Sequence, residues 1–200
     1  HLSPSFGKGR AVGEAIISSM FKNGQNGRIP IVAVTGTNGK TTITYLLEQV
    51  LIGMGLPVGV IGTVNYRYSV AGKKKILPSP HTTPEAMQLQ GLLRQMADAG
   101  VLYVIMEVSS HALAQSRIGD IHFDVAAFTN LSRDHLDYHR DMEDYFQTKT
   151  RLFTGHLKEG GVAVITDSGR FAGEPDWAGD LAQICRERRI AVLACGPGQD

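Results

Sequence analysis

Cysteine is scarce in this chain: Cys185 and Cys195 are the only two in 200 residues, and neither belongs to a Cys-x-x-Cys pair. A disulfide framework is excluded, and both thiols are expected to be small buried or half-buried groups in a reducing compartment. Long apolar runs are missing. The longest, such as Val101–Met106, reach about six residues, far short of the roughly 20 that a membrane-spanning helix needs. An excess of one charge is missing too. Lys and Arg number 20 against 19 Asp and Glu, a net charge of +1, which argues against a nucleic-acid binder or a polybasic membrane-surface protein. There is no initiating Met, no signal peptide and no internal repeat; the opening His-Leu-Ser-Pro-Ser is expected of a segment from inside a longer cytoplasmic protein.

What is abundant is glycine, with 23 residues against a usual share of about 7%. Hydrophobic residues at 42% and charged residues at 20% describe an ordinary globular domain. Residues 1–29 form a polar lead-in, in which Val12, Ile16, Ile17 and Met20 make one amphipathic stripe and residues 23–27 a loop. From Ile29 the pattern becomes strand, loop, helix, repeated. Strands are expected at 29–35, 58–63, 101–108, 123–129, 161–166 and 190–195, and helices at 41–51, 84–99, 141–153 and 181–188. In the second helix Thr83 is expected to be the N-cap with Pro84 at the first helical position. Residues 65–80 read as a loop or small hairpin. This alternation predicts an α/β fold, a largely parallel sheet flanked by helices.

Ligands of such sheets sit outside the carboxyl ends of the strands. Polar clusters fall there at 35–42, 107–111, 130–139 and 167–169. In the first, Gly36, Thr37, Asn38, Gly39, Lys40, Thr41 and Thr42 link a strand to a helix, the context of a phosphate loop. Glycines let backbone N–H groups close around phosphate oxygens, Lys40 reaches the terminal phosphates, and Thr41 offers a hydroxyl to Mg²⁺. Val34 stands where the usual loop has its first glycine, so this is a tighter variant. Glu107, ending an apolar strand beside that loop, is a natural Mg²⁺ ligand. In the third cluster His135 is the candidate ligand of a second cation, and His139 is expected to be structural, near the cap of the next helix. Lys149 falls three residues after Phe146 and three before Leu152, so it lies on the apolar face of its helix. A lysine there either snorkels or is recruited to a site. Thr82 and Thr83 could hold an anionic substrate group or, for Thr83, simply cap the helix.

Taken in order, the blocks Thr-Gly-Thr-Asn-Gly-Lys-Thr-Thr (35–42), His-Thr-Thr-Pro-Glu (81–85), Glu-Val-Ser-Ser-His-Ala-Leu (107–113), Asn-Leu-Ser-Arg-Asp-His-Leu-Asp-Tyr-His (130–139) and Tyr-Phe-Gln-Thr-Lys-Thr-Arg-Leu-Phe (145–153) resemble the ATP-dependent Mur ligases. The nearest branch is that of the UDP-N-acetylmuramoyl-tripeptide synthetases, and the resemblance covers about residues 30–167. It implies a P-loop-type central ATP-binding domain over residues 30–200, truncated at its C-terminus, behind a lead-in at 1–29. It also implies an enzyme that adds diaminopimelate or lysine to UDP-MurNAc-L-Ala-D-Glu through an acyl phosphate, in peptidoglycan precursor synthesis. By the same resemblance ATP would be held by residues 36–42 and Asn130, and one Mg²⁺ by Thr41 and Glu107. His135 and Lys149 would hold a second, Lys149 being carbamylated by CO₂. Thr82, Thr83, Ser109, Gln115 and Arg117 would bind the UDP-sugar peptide, and Lys40, Glu107, His135 and Lys149 would carry the catalysis.

The chain departs from that pattern in three ways. The 200 residues are expected to lack the uridine-binding and C-terminal domains of such ligases. Thr166-Asp167-Ser168-Gly169 replaces the family's Asn-Ala-Asp-Asp. Residues 2–34 resemble instead the linker entering the Mur-like half of cyanophycin synthetase, which makes that polymer ligase the alternative reading. A GTPase switch is disfavoured because no Asn-Lys-x-Asp guanine motif is present.

Overall fold

A computed structural model describes residues 29–166 and 175–195. The amphipathic stripe at 12–20, the loop at 23–27 and the polar cluster at 167–169 lie outside them. In chain order the elements are β1 (Ile31–Thr35), α1 (Lys40–Gly53), β2 (Val58–Ile61), β3 (Tyr66–Val70), β4 (Lys73–Leu77), α2 (Ala86–Asp98) and β5 (Tyr103–Glu107). They continue with α3 (Ser110–Ala114), β6 (Phe123–Phe128), α4 (Met142–His156), β7 (Leu157–Thr166), α5 (Trp177–Glu187) and β8 (Ala191–Cys195).

All eight strands form one sheet in the order β4-β3-β2-β5-β1-β6-β7-β8. From β2 to β8 the neighbours are parallel, as the βαβ alternation predicts. The expected loop or hairpin at 65–80 is a hairpin: β3 pairs antiparallel with β2, and β4 antiparallel with β3. Ala71 and Gly72 turn it with both φ values positive, 49° and 74°, as a two-residue turn matched to strand twist requires. β4 carries Lys73, Lys74 and Lys75 at the sheet edge, where charge discourages pairing with another chain. β8 forms the other edge, where Cys195 is exposed rather than half-buried, while Cys185 is buried on the inner face of α5 as expected.

The two faces of the sheet are covered unequally. Ile31, Ala33, Val104, Met106, Phe123 and Phe128 join one large core with residues of α2, α4 and α5. The alternate residues Val34, Val58, Val60 and Ile105 pack under Ile43, Leu47 and Leu51 of α1 alone. The strand order places β5, β1 and β6 at the centre of the sheet, with their carboxyl ends side by side.

One ion pair is buried in that thinner layer. Glu48 of α1 accepts from Arg67 Nε at 2.9 Å and from Nη2 at 2.6 Å, and both side chains are almost wholly enclosed. The Arg67 guanidinium also lies 4.0 Å from the ring centre of Tyr45 and donates to Asn65 Oδ1. The pair fastens the hairpin to the helix that follows the glycine-rich loop. Removing one partner strands the other charge, so Glu48→Ala is expected to cost about 3–5 kcal/mol of stability in urea unfolding. The double change Glu48→Leu with Arg67→Met should recover most of that loss.

Candidate active site

The loop between β1 and α1 is fastened to the segment that follows β6. Thr37 N–H donates to Asn130 O at 3.0 Å. Asn38 N–H donates to Asn130 Oδ1 at 3.0 Å, and Asn130 Nδ2 returns a bond to Asn38 O at 3.2 Å. Thr129 Oγ1 donates to Asn38 O at 2.6 Å, and Ser132 N–H donates to Thr37 Oγ1 at 3.0 Å. Thr37 Oγ1 also lies 3.3 Å from Tyr145 Oη on α4. Asn130, expected to meet ATP, is thus engaged in holding the loop.

Gly36 is what lets the two segments approach. Its φ is +140°, and a Cβ there would stand 1.9 Å from Thr129 Oγ1 and 2.9 Å from Asn130 O. Gly39 is the N-cap of α1, so the free N–H groups of that helix begin at the end of the loop. Lys40 follows it, with Nζ donating to Gly36 O at 2.9 Å and Thr37 O at 2.8 Å. Burial pulls the Lys40 ammonium below its ordinary range, against the opposing pull of Glu107 and Asp134.

Glu107 closes the site from β5. It is 1% exposed, and its Oε2 accepts from Thr41 Oγ1 at 3.1 Å and from Thr63 Oγ1 at 2.9 Å. Thr63 N–H approaches Oε1 at 3.3 Å. The approach depends on Gly62, whose Cβ would fall 2.4 Å from Oε1. Thr41 and Glu107 therefore present hard oxygen donors side by side at the start of α1, a donor set that fits Mg²⁺, which keeps waters and takes one or two carboxylates together with phosphates.

Lys149 does not snorkel to solvent but turns inward to the loop. It is 2% exposed, and its Nζ donates to Gly36 O at 3.0 Å and Thr35 Oγ1 at 3.4 Å. The ammonium also lies 4.6 Å from the ring centre of Tyr145. Burial, and then the charge of Lys40, lower its pKa from near 10.5 to about 7. The unfolded chain therefore binds more protons than the folded one between those values. The contribution of Lys149 to stability rises as pH climbs from about 7 to about 10.5 and is lost over the same window as pH falls back to about 7. Urea unfolding at several pH values in this range should show that Lys149→Met removes this slope.

His135 is less closely engaged. Its backbone has φ +55°, and its ring lies 5.9 Å from Tyr145 and 5.2 Å from His111. No recorded contact joins it to Glu107, Thr41 or Lys149, and among the described residues no three His, Cys, Asp or Glu side chains converge as a ready metal cage. His139 is buried, with Nε2 at 2.9 Å from Ser110 Oγ and Nδ1 at 3.5 Å from Asp144, in the first turn of α4.

The residues from 82 to 117 do come together. Thr83 caps no helix: α2 begins at Ala86 with Glu85 as its N-cap. The Thr83 hydroxyl is drawn away to Glu107 O at 2.9 Å and accepts from Ser109 N–H at 3.1 Å. Arg117 donates to Thr83 O at 3.3 Å and to Gln115 Oε1 at 2.8 Å, and pairs with the exposed Glu85 at 3.0 Å. Ser109 also caps α3 by accepting from Ala112 N–H. Thr82 reaches Thr63, Oγ1 to Oγ1, at 3.0 Å. Sequence reasoning missed Thr63, Thr129, Ser132 and Tyr145. Thr63 could have been found by the strand-end rule, because it lies two residues beyond β2.

A phosphate-binding α/β domain, with a carboxylate and a buried lysine meeting at its glycine-rich loop, is the class this fold and site define. The Mur ligase middle domain matches residues 34–175, and the chain belongs to the Mur ligase family. It is similar to the UDP-N-acetylmuramoyl-L-alanyl-D-glutamate--2,6-diaminopimelate ligase of Geobacter metallireducens, 58% identical over 63% of this chain and 24% of the relative. With the ligase of the same name from Geobacter sulfurreducens it is 51% identical over 73% of this chain and 28% of the relative. A solved structure of such a diaminopimelate ligase superposes with a TM-score of 0.69 at 35% identity, covering 86% of this chain and 33% of that one. Escherichia coli FolC in complex with DHPP and ADP shares the fold, with a TM-score of 0.60 at 23% identity over 90% of this chain and 45% of that one. The chain thus spans about a quarter of the length of the two Geobacter relatives.

Proposed function

We propose that residues 30–200 are the central ATP-binding domain of a longer cytoplasmic ligase, with residues 1–29 leading into it. That ligase adds diaminopimelate or lysine to UDP-MurNAc-L-Ala-D-Glu in peptidoglycan precursor synthesis. The observation that carries this reading is the meeting of Lys149 with the glycine-rich loop, Nζ to Gly36 O, in a chain 58% identical to a diaminopimelate ligase. Family membership supports it, with the match spanning the 130–139 and 145–153 blocks.

In this reading the N–H groups of the loop and Lys40 hold the phosphates of ATP and spread the charge of the transferring phosphoryl group. Thr41 and Glu107 hold Mg²⁺, which supplies further charge neutralisation at those phosphates. Asn130 keeps the loop in shape. Thr82, Thr83, Ser109, Gln115 and Arg117 orient the UDP-sugar peptide, Arg117 by pairing with phosphate or carboxylate. Lys149, with a pKa near 7, is partly neutral at that pH and increasingly so above it. Its amine can add CO₂ and release a proton, giving a carbamate with the oxygen donors of a carboxylate. That group and His135 would complete a second Mg²⁺ site. The substrate carboxylate takes the γ-phosphoryl group of ATP, and the incoming amine displaces phosphate to leave an amide. The remaining domains of the same chain supply the grip on the amino acid.

The polymer-ligase reading uses the same chemistry and is favoured by residues 2–34. Phosphate release from MgATP by the full-length chain separates the two. Release with UDP-MurNAc-L-Ala-D-Glu plus diaminopimelate or lysine is the expected result. Release only with an Asp–Arg primer plus aspartate and arginine would overturn it.

A further inference from the structure

The Glu107 carboxylate accepts, at Oε2, from the hydroxyls of Thr41 and Thr63, and at Oε1 from the Thr63 amide. Thr41 stands in the first turn of α1, next to the loop, and is the residue whose oxygen would turn to a cation. Thr63 comes from a different element, the turn after β2, and approaches the carboxylate through both its backbone and its side chain. The next contact outward is Thr82, whose Oγ1 lies 3.0 Å from Thr63 Oγ1.

A hydroxyl has one proton to give, and a carboxylate only accepts. Thr63 donates to Glu107, so the proton in the Thr63–Thr82 bond comes from Thr82. Thr82 is left with lone pairs facing outward and no proton for a ligand. It therefore suits an N–H or O–H donor, such as an amide or sugar hydroxyl, and not a phosphate or carboxylate oxygen.

We propose that Thr63 is a positioning residue: it holds the Glu107 carboxylate for the cation and fixes Thr82 as an acceptor toward the substrate. This rests on the ligase reading above and names how that site is oriented. Outer partners that orient a metal ligand typically change metal affinity by about 10–100-fold when removed. The Thr63 side chain is exposed, so the isosteric Thr63→Val change leaves the fold intact while deleting the hydroxyl.

Calorimetric binding of a non-hydrolysable ATP analogue to the full-length chain, at graded Mg²⁺, tests the first half without turnover. Thr63→Val should need about tenfold more Mg²⁺ for half-saturation, and Thr63→Ser should stay within about twofold of wild type. A Thr63→Val response equal to wild type, or a Thr63→Ser loss as large as that of Thr63→Val, overturns the proposal. For the second half, Thr63→Val and Thr82→Val should each raise KM for UDP-MurNAc-L-Ala-D-Glu, and the double variant should raise it no further than the larger single effect. Full additivity contradicts the shared proton. If the wild type binds Mg-nucleotide but does not turn over that substrate, the substrate reading alone fails and the Mg²⁺ titration still judges how Thr63 acts on Glu107. Absence of any Mg²⁺-dependent nucleotide binding overturns both.

Discussion

Lys149→Ala should lower the ligation rate of the full-length chain by about 10²–10³-fold, the usual effect of deleting one preorganised charge-stabilising group. The expectation follows from where the lysine sits. A long aliphatic chain on the apolar face of α4 carries its amine under the glycine-rich loop, to Gly36 O and Thr35 Oγ1. Burying an ammonium there has a cost, and the pKa near 7 records it. An apolar residue would fill that place at less cost, so chemistry at the amine is the better account of a lysine there. Bicarbonate should raise the wild-type rate, more so as pH passes up through about 7 and the amine becomes neutral. Wild-type protein equilibrated with ¹³C-bicarbonate should show a carbamate carbon by NMR that Lys149→Ala lacks. A variant with nearly wild-type rate and an unchanged spectrum would show that Lys149 only packs.

Gly36→Ala should abolish nucleotide binding and destabilise the domain by about 3 kcal/mol. The added methyl would sit 1.9 Å from Thr129 Oγ1 and 2.9 Å from Asn130 O, on a backbone with φ +140°. Thr129 can turn away only by giving up its 2.6 Å bond to Asn38 O, and the Asn130 carbonyl is fixed by Thr37 N–H. The loop would have to lift from the 129–132 segment, and Gly36 O would leave Lys40 and Lys149 together. Equilibrium unfolding and ATP-analogue calorimetry measure the two effects. Gly39→Ala, whose methyl would meet Thr129 Cβ at an ordinary 3.9 Å but also sits at positive φ, should be milder, because only backbone strain opposes it.

The alternation of strand and helix was legible because its signals are local. β1, β5 and β6 lie within the apolar runs that the pattern marks, and the glycine-rich loop sits between β1 and α1 as its motif requires. Lys149 was legible as an anomaly, since spacing alone puts it on an apolar face. What was not legible depends on contacts between distant residues. Thr83 reads as a cap because Pro84 follows it, yet its partners are Glu107 and Ser109, some 25 residues on. Thr129 and Ser132 look like ordinary loop residues until the fold brings them against residues 36–38, more than 90 positions earlier. Glu48 resembles a solvent-facing helical glutamate between Leu47 and Gln49, and only the β3–β4 hairpin, an element without its own helix to announce it, turns that face inward through Arg67. α5 begins at Trp177, ahead of the expected 181, because Asp176 caps it by accepting from Gly179 N–H.

In the proposed function, this site lets a carboxylate attack ATP. The most direct measurement uses UDP-MurNAc-L-Ala-D-Glu carrying ¹⁸O in the reacting carboxylate, with MgATP, diaminopimelate and the full-length chain. An acyl phosphate intermediate transfers one ¹⁸O atom to each phosphate released in step with amide formation, and mass spectrometry of that phosphate should show it. Amide formed with phosphate free of ¹⁸O would contradict the account.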